Sequence, residues 1–200
     1  MTGRRLAVIM ALLATCLAVG VRIWWVNRSL PSIPVETHRT GEWVRLDGAF
    51  QDSASSEHTS GYSIEVVSAE VMTRSEYLKK YGASAAGSQG EKRCVVDVTL
   101  RIRNDGAEQG GLNVFQMVLT PARGNEYLIC DVMNEDALWP QVERGADTTV
   151  SVRPGTEYEV HIPYVFNGGP EVYEREVTDR EFTLLLSRMP VRKMVEVSAE

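Results

Sequence analysis

The sequence predicts an all-β domain, a two-sheet antiparallel β-sandwich with one short helix, which follows an N-terminal transmembrane helix. A long apolar run near the N-terminus predicts the transmembrane helix. Beyond it, about eight or nine short runs of alternating apolar residues are separated by Gly, Asn, Asp, Pro and Ser, which is the pattern of an antiparallel sandwich. Only one further stretch carries helix signals, whereas a βαβ fold needs a helix between successive strands.

Residues 1–26 are predicted to form a signal anchor, that is, a transmembrane helix. Leu6 to Val26 would extend about 31 Å as a helix, which matches the roughly 30 Å hydrocarbon core of a bilayer. This length requires the Arg22 guanidinium to reach the headgroups along its aliphatic stem. Trp24 and Trp25 favour the same depth, because indoles prefer the membrane interface. We therefore assign Arg22, Trp24 and Trp25 to the membrane interface.

The sequence leaves two alternatives to an uncleaved anchor. Ala18-Val19-Gly20 offers the small residues that signal peptidase requires, so a cleaved signal peptide is one of them. Residues 13–16 resemble a bacterial lipobox, although Thr15 before Cys16 fits poorly, so a lipoprotein is the other. A long domain is translocated largely regardless of its charge. We therefore expect a single-pass protein of the cell membrane whose domain faces outside the cytoplasm.

The segment 27–42 is predicted to be a linker, and residues 43–200 are predicted to form the extracytoplasmic β-sandwich domain. Pro31 and Pro34 lie among polar residues in this segment, which shows no sustained hydrophobic period. The first apolar alternation begins near Trp43.

The charge of the chain is uneven. Of its 21 basic residues, Arg4, Arg5 and Arg22 lie in or before the anchor, while all 27 carboxylates follow it, so the remainder carries a formal charge of −9. Nucleic acid binding needs clustered Lys and Arg to displace counterions, so we expect no nucleic acid partner. The same negative charge disfavours docking of the whole domain on anionic lipid headgroups.

Three strand predictions rest on particular residues. In Cys94–Arg103 every second residue from Cys94 to Ile102 is apolar, and Asp97, Thr99, Arg101 and Arg103 lie on the other face, which predicts a strand. Residues 157–166 also alternate, and Pro163 within them predicts an edge or bulged strand. In Tyr62–Val71 the apolar phase shifts by one residue at Val66-Val67, which predicts a β-bulge. Further strand candidates are Val44–Phe50, Leu112–Thr120, Glu126–Val132, Asp147–Arg153, Glu181–Ser187 and Val191–Val197.

The short helix is predicted after residue 73. Thr73-Arg74-Ser75-Glu76 has the spacing of a capping box, and good helix formers follow as far as Tyr81. Gly82 stands where a C-terminal cap is expected.

Several fragments, in their order and spacing, carry a family resemblance that covers about Arg22 to Val197. They include Arg22-Ile-Trp-Trp-Val-Asn27, Glu57-His-Thr-Ser-Gly-Tyr62, Ser68-Ala-Glu70, Lys80-Tyr-Gly82, Ile102-Arg-Asn-Asp-Gly106, Val152-Arg-Pro-Gly155, Ile162-Pro-Tyr164, Leu184-Leu-Leu-Ser187 and Pro190-Val191. In these fragments the chain resembles a group of Gram-positive bacterial proteins classed as a domain of unknown function. The resemblance implies a membrane-anchored, extracytoplasmic immunoglobulin-like sandwich, and it implies no catalytic residues.

Cys94 and Cys130 are a candidate disulfide, because they are the two cysteines outside the anchor and both fall on apolar strand faces. An oxidising exterior permits such a bridge, which would stabilise the domain by about 2 to 4 kcal/mol. The alternative is two buried thiols that pack as small hydrophobes. A bridge requires Cα atoms within about 7 Å, which the sequence does not determine.

Trp43 and Trp139 are candidate partner contacts, because exposed indoles are favoured at interfaces. The alternative for both is packing in or at the rim of the core. His38, His58 and His161 are too scattered for a zinc site, and no nucleophile elbow, Walker loop or dinucleotide fingerprint occurs. We expect no metal site and no cofactor.

These observations favour a non-enzymatic, membrane-anchored surface module that binds an unknown protein, peptide or glycan. Two alternatives stay open. One is an accessory or structural subunit of an envelope complex, and the other is an envelope hydrolase, which would need paired carboxylates in a cleft.

Overall fold

The computed structural model describes residues 2–29, 32–52, 57–81, 94–123, 126–131, 149–167 and 177–200. The chain divides into two compact units, Met1–Ile33 and Pro34–Glu200.

The first unit contains the apolar helix α1, Thr2–Ser29. Its stretch Ala7–Ser29 has 23 residues and a mean hydropathy of 2.1, and it is long and apolar enough to cross a membrane. A signal sequence passes the same test of length and composition. The predicted N-terminal apolar helix is therefore confirmed, and it extends three residues beyond the predicted end at Val26.

The second unit is mostly β. Within the described residues, nine strands form one sheet in the order β1-β9-β8-β5-β6-β7-β4-β3-β2, with one parallel pair, β1 and β9. The strands are β1 (Val35–Arg39), β2 (Trp43–Arg45), β3 (Tyr62–Thr73), β4 (Cys94–Asn104), β5 (Val118–Pro121), β6 (Leu128–Cys130), β7 (Thr156–Phe166), β8 (Glu181–Ser187) and β9 (Arg192–Ser198). A second helix, α2 (Arg74–Tyr81), and a 3₁₀ turn, Val114–Gln116, complete the described elements.

The two ends of this sheet approach each other, so the sheet is nearly barrel-like. Gly41 N donates to Val66 O at 2.8 Å, which joins the β1–β2 connection to β3. After β9, the backbone of Glu200 bonds Ala69 and Val71 of β3 at 3.0 and 3.1 Å. The strands therefore form one curved sheet, and the predicted immunoglobulin-like sandwich is not confirmed.

The predicted linker 27–42 differs from the structure at both ends. The helix α1 continues to Ser29, and Val35–Arg39 forms β1, which pairs with residues 192–196 of β9. Glu36 accepts a 2.7 Å hydrogen bond from Nζ of Lys193, which is buried. This bond and the positive charge of Lys193 lower the pKa of Glu36. The sequence missed β1 because four of its five residues are polar and the strand is exposed at the sheet edge.

The inner face of the curved sheet holds the main core. Strand alternation sends every second side chain of the long strands to this face. Buried residues there include Ile64, Val66, Val98, Leu100, Ile102, Val160, Ile162, Leu184, Val195 and Val197. Burial of each large aliphatic side chain contributes about 1.5 to 3 kcal/mol relative to exposure.

The strand β7 is central, and the prediction of an edge strand from Pro163 was wrong. It lies between β4 and β6. Pro163 O accepts from Asp131 N at 3.0 Å, and N and O of one residue point to the same neighbour in an antiparallel pair. Since β6 ends at Cys130, the missing N–H of the proline faces the end of a very short strand and removes little from the ladder.

Other local predictions had mixed outcomes. The β-bulge is confirmed, because the β3–β4 register shifts between Val66 and Ser68. The continuous strand Leu112–Thr120 was wrong, since the 3₁₀ turn precedes β5. The capping box is confirmed: Thr73 N donates to Glu76 Oε2 at 2.7 Å, and Glu76 N donates to Thr73 Oγ1 at 3.3 Å. Gly82 lies outside the described residues.

One buried amide ties together the loops at the end of β4. Asn104 is fully buried, and its Nδ2 donates to the carbonyls of Glu108, Gln109 and Val152, while its Oδ1 accepts from Gly106 N. The Nδ2 distance to Val152 O is 2.8 Å.

Tyr62 reaches the same place from β3. Its hydroxyl donates to Gln109 O and accepts from Val152 N at 3.0 Å, and burial raises the pKa of this phenol. Gly110 closes the loop with φ of 58°, where a Cβ would lie 2.4 Å from His58 O. The loop therefore accepts only glycine at this position.

Replacement of Asn104 by alanine should lower the free energy of unfolding by about 3 kcal/mol, because several buried groups lose their partners at once. Urea unfolding of the full chain in detergent, followed by circular dichroism, measures this loss. Asn113→Ala is the matched control, since Asn113 is also buried but its Oδ1 has no partner among the described residues. An equal loss in both variants would contradict the role of Asn104.

Candidate functional site

The outer face of β2, β3, β4 and β7 carries polar side chains in cross-strand rows. Opposite residues in paired strands share a face, and the inner-facing residues between these rows form the core. We call two adjacent rows the outer ladder: Trp43, Glu65, Arg101 and Glu159 in the first, and Arg45, Ser63, Arg103 and Glu157 in the second.

Arg101 is the centre of the outer ladder. Its guanidinium lies 3.1 Å from Glu65, 3.3 Å from Glu157 and 3.8 Å from Glu159. Its side chain is one-third exposed, and the side chains of Glu157 and Glu159 are about half exposed. One cation is thus shared by three carboxylates, so this cluster of four side chains carries a net negative charge.

Trp43 lies at the edge of the same face. The Arg103 guanidinium carbon is 4.4 Å from the centre of its ring, which is the geometry of a cation–π contact. Arg103 Nε is also 2.7 Å from Asp105 Oδ2. The indole is half-buried and is held in one orientation by this contact. The half-buried indole fits the alternative of packing at the rim of the core, and partner contact by Trp43 stays a prediction.

The helix α2 covers the opposite end of the face. It packs Tyr77 and Leu78 against Met72, Val95 and Val165, and these five residues form a second, smaller apolar cluster. The cluster fixes the last turn of α2, with Lys80 and Tyr81, over the polar rows of β3, β4 and β7.

A hydrogen-bonded group connects this last turn to the sheet, and we call it the Tyr81 network (Glu70, Lys80, Tyr81, Asp97 and His161). The Asp97 side chain is 1% exposed, and its Oδ2 accepts from the Tyr81 hydroxyl at 2.5 Å and from Lys80 Nζ at 3.2 Å. Lys80 Nζ also donates to Glu70 Oε2 at 2.6 Å. Asp97 Oδ1 has no hydrogen-bond partner among the described residues.

His161 completes the network from β7. Its Nδ1 lies 2.8 Å from the Tyr81 oxygen and 3.0 Å from Thr99 Oγ1. Because the Tyr81 proton is donated to Asp97, the Tyr81 oxygen accepts from His161, which assigns a proton to Nδ1. The imidazole also packs on the Tyr81 ring, with centroids 4.8 Å apart.

The environment raises the pKa values of Tyr81 and Lys80. Burial, with the hydrogen bond to Asp97, raises the pKa of Tyr81, so its phenol stays a donor. Burial alone would lower the pKa of Lys80, but its hydrogen bonds with Glu70 and Asp97 outweigh this and raise it. The network therefore acts as a rigid support for α2, while the outer ladder beside it is open to solvent.

The structure does not bring the candidate disulfide pair together. Cys94 lies on β4 and Cys130 on β6, and β7 runs between these strands. Adjacent strands are about 4.8 Å apart, so two strand spacings exceed the roughly 7 Å that a disulfide permits. Both thiols are free, and burial raises the pKa of Cys130.

The remaining predicted site residues lie elsewhere. Trp24 and Trp25 are exposed on α1, at 58% and 63%, and Arg22 is exposed on the same helix. Trp139 lies outside the described residues. Within the described residues, no group of three His, Cys, Asp or Glu side chains is placed to hold a metal ion.

Sequence reasoning missed the residues that the structure brings together. Asp97 and Arg101 belong only to the polar residues of the predicted strand Cys94–Arg103, and His161 is considered only for a zinc site. Their meeting depends on the pairing of β4 with β7, in which Thr99 lies opposite His161. Alternation of apolar residues reveals the faces of a strand but not its neighbour.

Fold and site together define a class of protein: a β-rich domain with a nearly closed nine-stranded sheet and an open polar face, behind an N-terminal apolar helix that is long enough to cross a membrane. The chain belongs to the family described as Domain of unknown function (DUF5028), whose model matches residues 35–193. The match begins at the first residue of β1. Comparison with curated proteins and with solved structures gave no match.

Family membership confirms part of the resemblance seen in the sequence. A domain of unknown function behind an apolar helix is shown. The Gram-positive origin and the immunoglobulin-like kinship stay predictions.

Replacement of Asp97 by asparagine should lower the free energy of unfolding by about 2 kcal/mol at pH 7, because Lys80 loses a buried charged partner. Glu70→Gln is the matched control, since it removes the exposed partner of the same lysine and should cost less than about 1 kcal/mol. Urea unfolding of the full chain in detergent compares the two. Equal losses would show that burial of Asp97 contributes nothing.

A comparison of the natural chain with Asp97→Asn also tests how the free energy of unfolding depends on pH. The pKa values of Lys80 and Tyr81 are raised in the folded state above 10.5 and 10.0, so their contribution is complete below pH 10 and is lost as the pH rises through the folded values. The advantage of the natural chain over Asp97→Asn should therefore be constant from pH 7 to pH 9 and shrink above pH 10. A stability difference between the two chains that grows with pH would contradict the raised pKa values of Lys80 and Tyr81.

Proposed function

We propose that this protein is a single-pass membrane protein whose β-rich domain lies outside the cytoplasm and serves as a non-enzymatic binding module. The single observation that carries the proposal is the outer ladder, where one partly buried guanidinium is shared by three carboxylates beside the Arg103–Trp43 stack. Its partner is a protein or peptide segment that carries basic side chains.

The three carboxylates that surround Arg101 support this partner. Glu157 and Glu159 keep about half of their side-chain surface in solvent, so they are free to accept from incoming Lys or Arg. Complementary charge at an interface speeds association and fixes its register. The sheet holds these carboxylates in fixed rows, so little side-chain entropy remains to be lost on binding.

Trp43 supports a protein partner in a different way. Trp and Arg are enriched among the residues that contribute most of the binding energy at protein interfaces. The Arg103 contact holds the ring at the edge of the face, where an incoming apolar side chain can pack on it. A glycan partner would use the same indole by stacking, and the test below distinguishes it because glycans lack basic groups.

Site-specific photo-cross-linking in intact cells tests the face. A photoreactive residue in place of Glu159 should give a discrete product of higher mass, because this position lies in the outer ladder. The same residue in place of Glu196, which is exposed on β9, is the matched control and should give none. Products of equal intensity from both positions, or from neither, would count against the outer ladder as a binding face.

A second pair of substitutions tests the chemistry of the partner. Glu65→Gln with Glu157→Gln keeps the shape of the row and removes two negative charges, so it should reduce the cross-linked product at position 159 about fivefold or more for a basic partner. An unchanged yield would exclude charge as the basis of recognition and would favour a glycan.

The topology has its own test. A reporter that is active only outside the cytoplasm, fused after Glu200, should be active on intact cells, because a long domain that follows the first helix is translocated. Activity of a cytoplasmic reporter at the same position would reverse the proposed orientation.

A further inference from the structure

The chain between the apolar helix and the sheet is short. The helix α1 ends at Ser29, and Arg192 N already donates to Pro34 O at 2.8 Å, so the sheet domain starts at Pro34. Five residue steps from Ser29 to Pro34 span at most about 17 Å even when fully extended. A bilayer that contains α1 is therefore within reach of the part of the domain around Pro34.

The β8–β9 hairpin lies at this point of entry. We call its exposed residues, with the adjacent start of β1, the tether rim (Val35, Arg188, Met189 and Arg192). Val35 is 54% exposed and Met189 is 44% exposed, and both arginines are exposed. Two apolar side chains thus stand beside two cations at one end of the sheet.

The tether rim is rigid. Phe50 N donates to Met189 O at 2.7 Å, and the Phe50 carbonyl accepts from the backbone N–H groups of Arg188 and Met189 at 2.8 and 3.1 Å. Inside the hairpin, Ser187 Oγ donates to Val191 O at 2.8 Å. The exposed apolar side chains are therefore presented by an ordered backbone and have no freedom to fold back into the core.

The charge of the tether rim opposes that of the domain. Among the described residues, neither Arg188 nor Arg192 forms an ion pair, whereas the nearby Lys193 is paired with Glu36 at 2.7 Å. The part of the chain beyond the helix carries an excess of carboxylates. Two unpaired arginines with apolar neighbours are complementary to anionic headgroups above an acyl layer.

We propose that the tether rim rests on the surface of the bilayer, with Arg188 and Arg192 bound to anionic phospholipid headgroups and Met189 and Val35 at the headgroup level. This inference rests on the membrane anchor of the proposed function and adds a lipid contact to it. The negative charge of the rest of the domain confines the contact to the rim.

Fluorescence quenching in vesicles tests the contact. The full chain, with its three cysteines replaced by serine, is labelled at Met189→Cys with an environment-sensitive fluorophore and inserted into phosphatidylcholine vesicles that contain phosphatidylglycerol. Headgroup spin labels should quench the fluorophore strongly. The control label is at Glu181→Cys, at the opposite end of β8 and about 20 Å from the rim, and it should be quenched at least threefold less.

Charge reversal distinguishes the binding of headgroups by Arg188 and Arg192 from mere closeness of the label to the bilayer. Arg188→Glu with Arg192→Glu should reduce the quenching at position 189 to the level at position 181, while carbonate extraction still leaves the chain in the vesicles. Equal quenching at both positions in an inserted chain would overturn the tether rim and leave the anchor intact. If the label at position 189 is quenched as strongly in vesicles without phosphatidylglycerol as in vesicles that contain it, the assignment to anionic headgroups is overturned. Release of the chain by carbonate would overturn the anchor, and the rim with it.

Discussion

The long ladder of β3, β4 and β7 is the constraint on which the rest of the structure depends. These three strands have 12, 11 and 11 residues, and β4 pairs with both neighbours along most of its length. Alternation along them sends one set of side chains to the core and the other to an outer face, which is polar except where α2 covers Met72, Val95 and Val165. The register of these strands therefore decides which side chains face the core and which face the candidate site. A shift of one residue in the pairing would exchange the two sets.

The bulge in β3 sets which side chains of β3 lie opposite β4 on the far side of Val66. Without the extra residue Val67, the pairs beyond Val66 would shift by one residue, and Glu70 would leave the row of Asp97. The bulge therefore joins the outer ladder at one end to the Tyr81 network at the other. It also increases the local twist, which a sheet needs in order to curve toward closure.

The sequence predicted what depends on local pattern and missed what depends on pairing. The apolar helix, the β4 alternation, the bulge and the capping box of α2 each arise from neighbouring residues, and each is present. The edge position of β7 was wrong because alternation does not encode strand order. The linker was wrong across Val35–Arg39 because that strand is polar and exposed. The two-sheet arrangement, which also depends on strand order, is not confirmed. Pro163 shows the reason, since its missing N–H is harmless only because β6 is three residues long.

The strand directions relate the two surfaces that the proposals assign. Glu200 bonds Ala69 and Val71 in the pattern of parallel neighbours, so β9 and β3 run the same way. The strand β9 begins at the tether rim, whereas β3 ends at α2, so these lie at opposite ends of the sheet. The proposed lipid contact and the proposed partner contact use different residues of the sheet domain, so neither contact excludes the other.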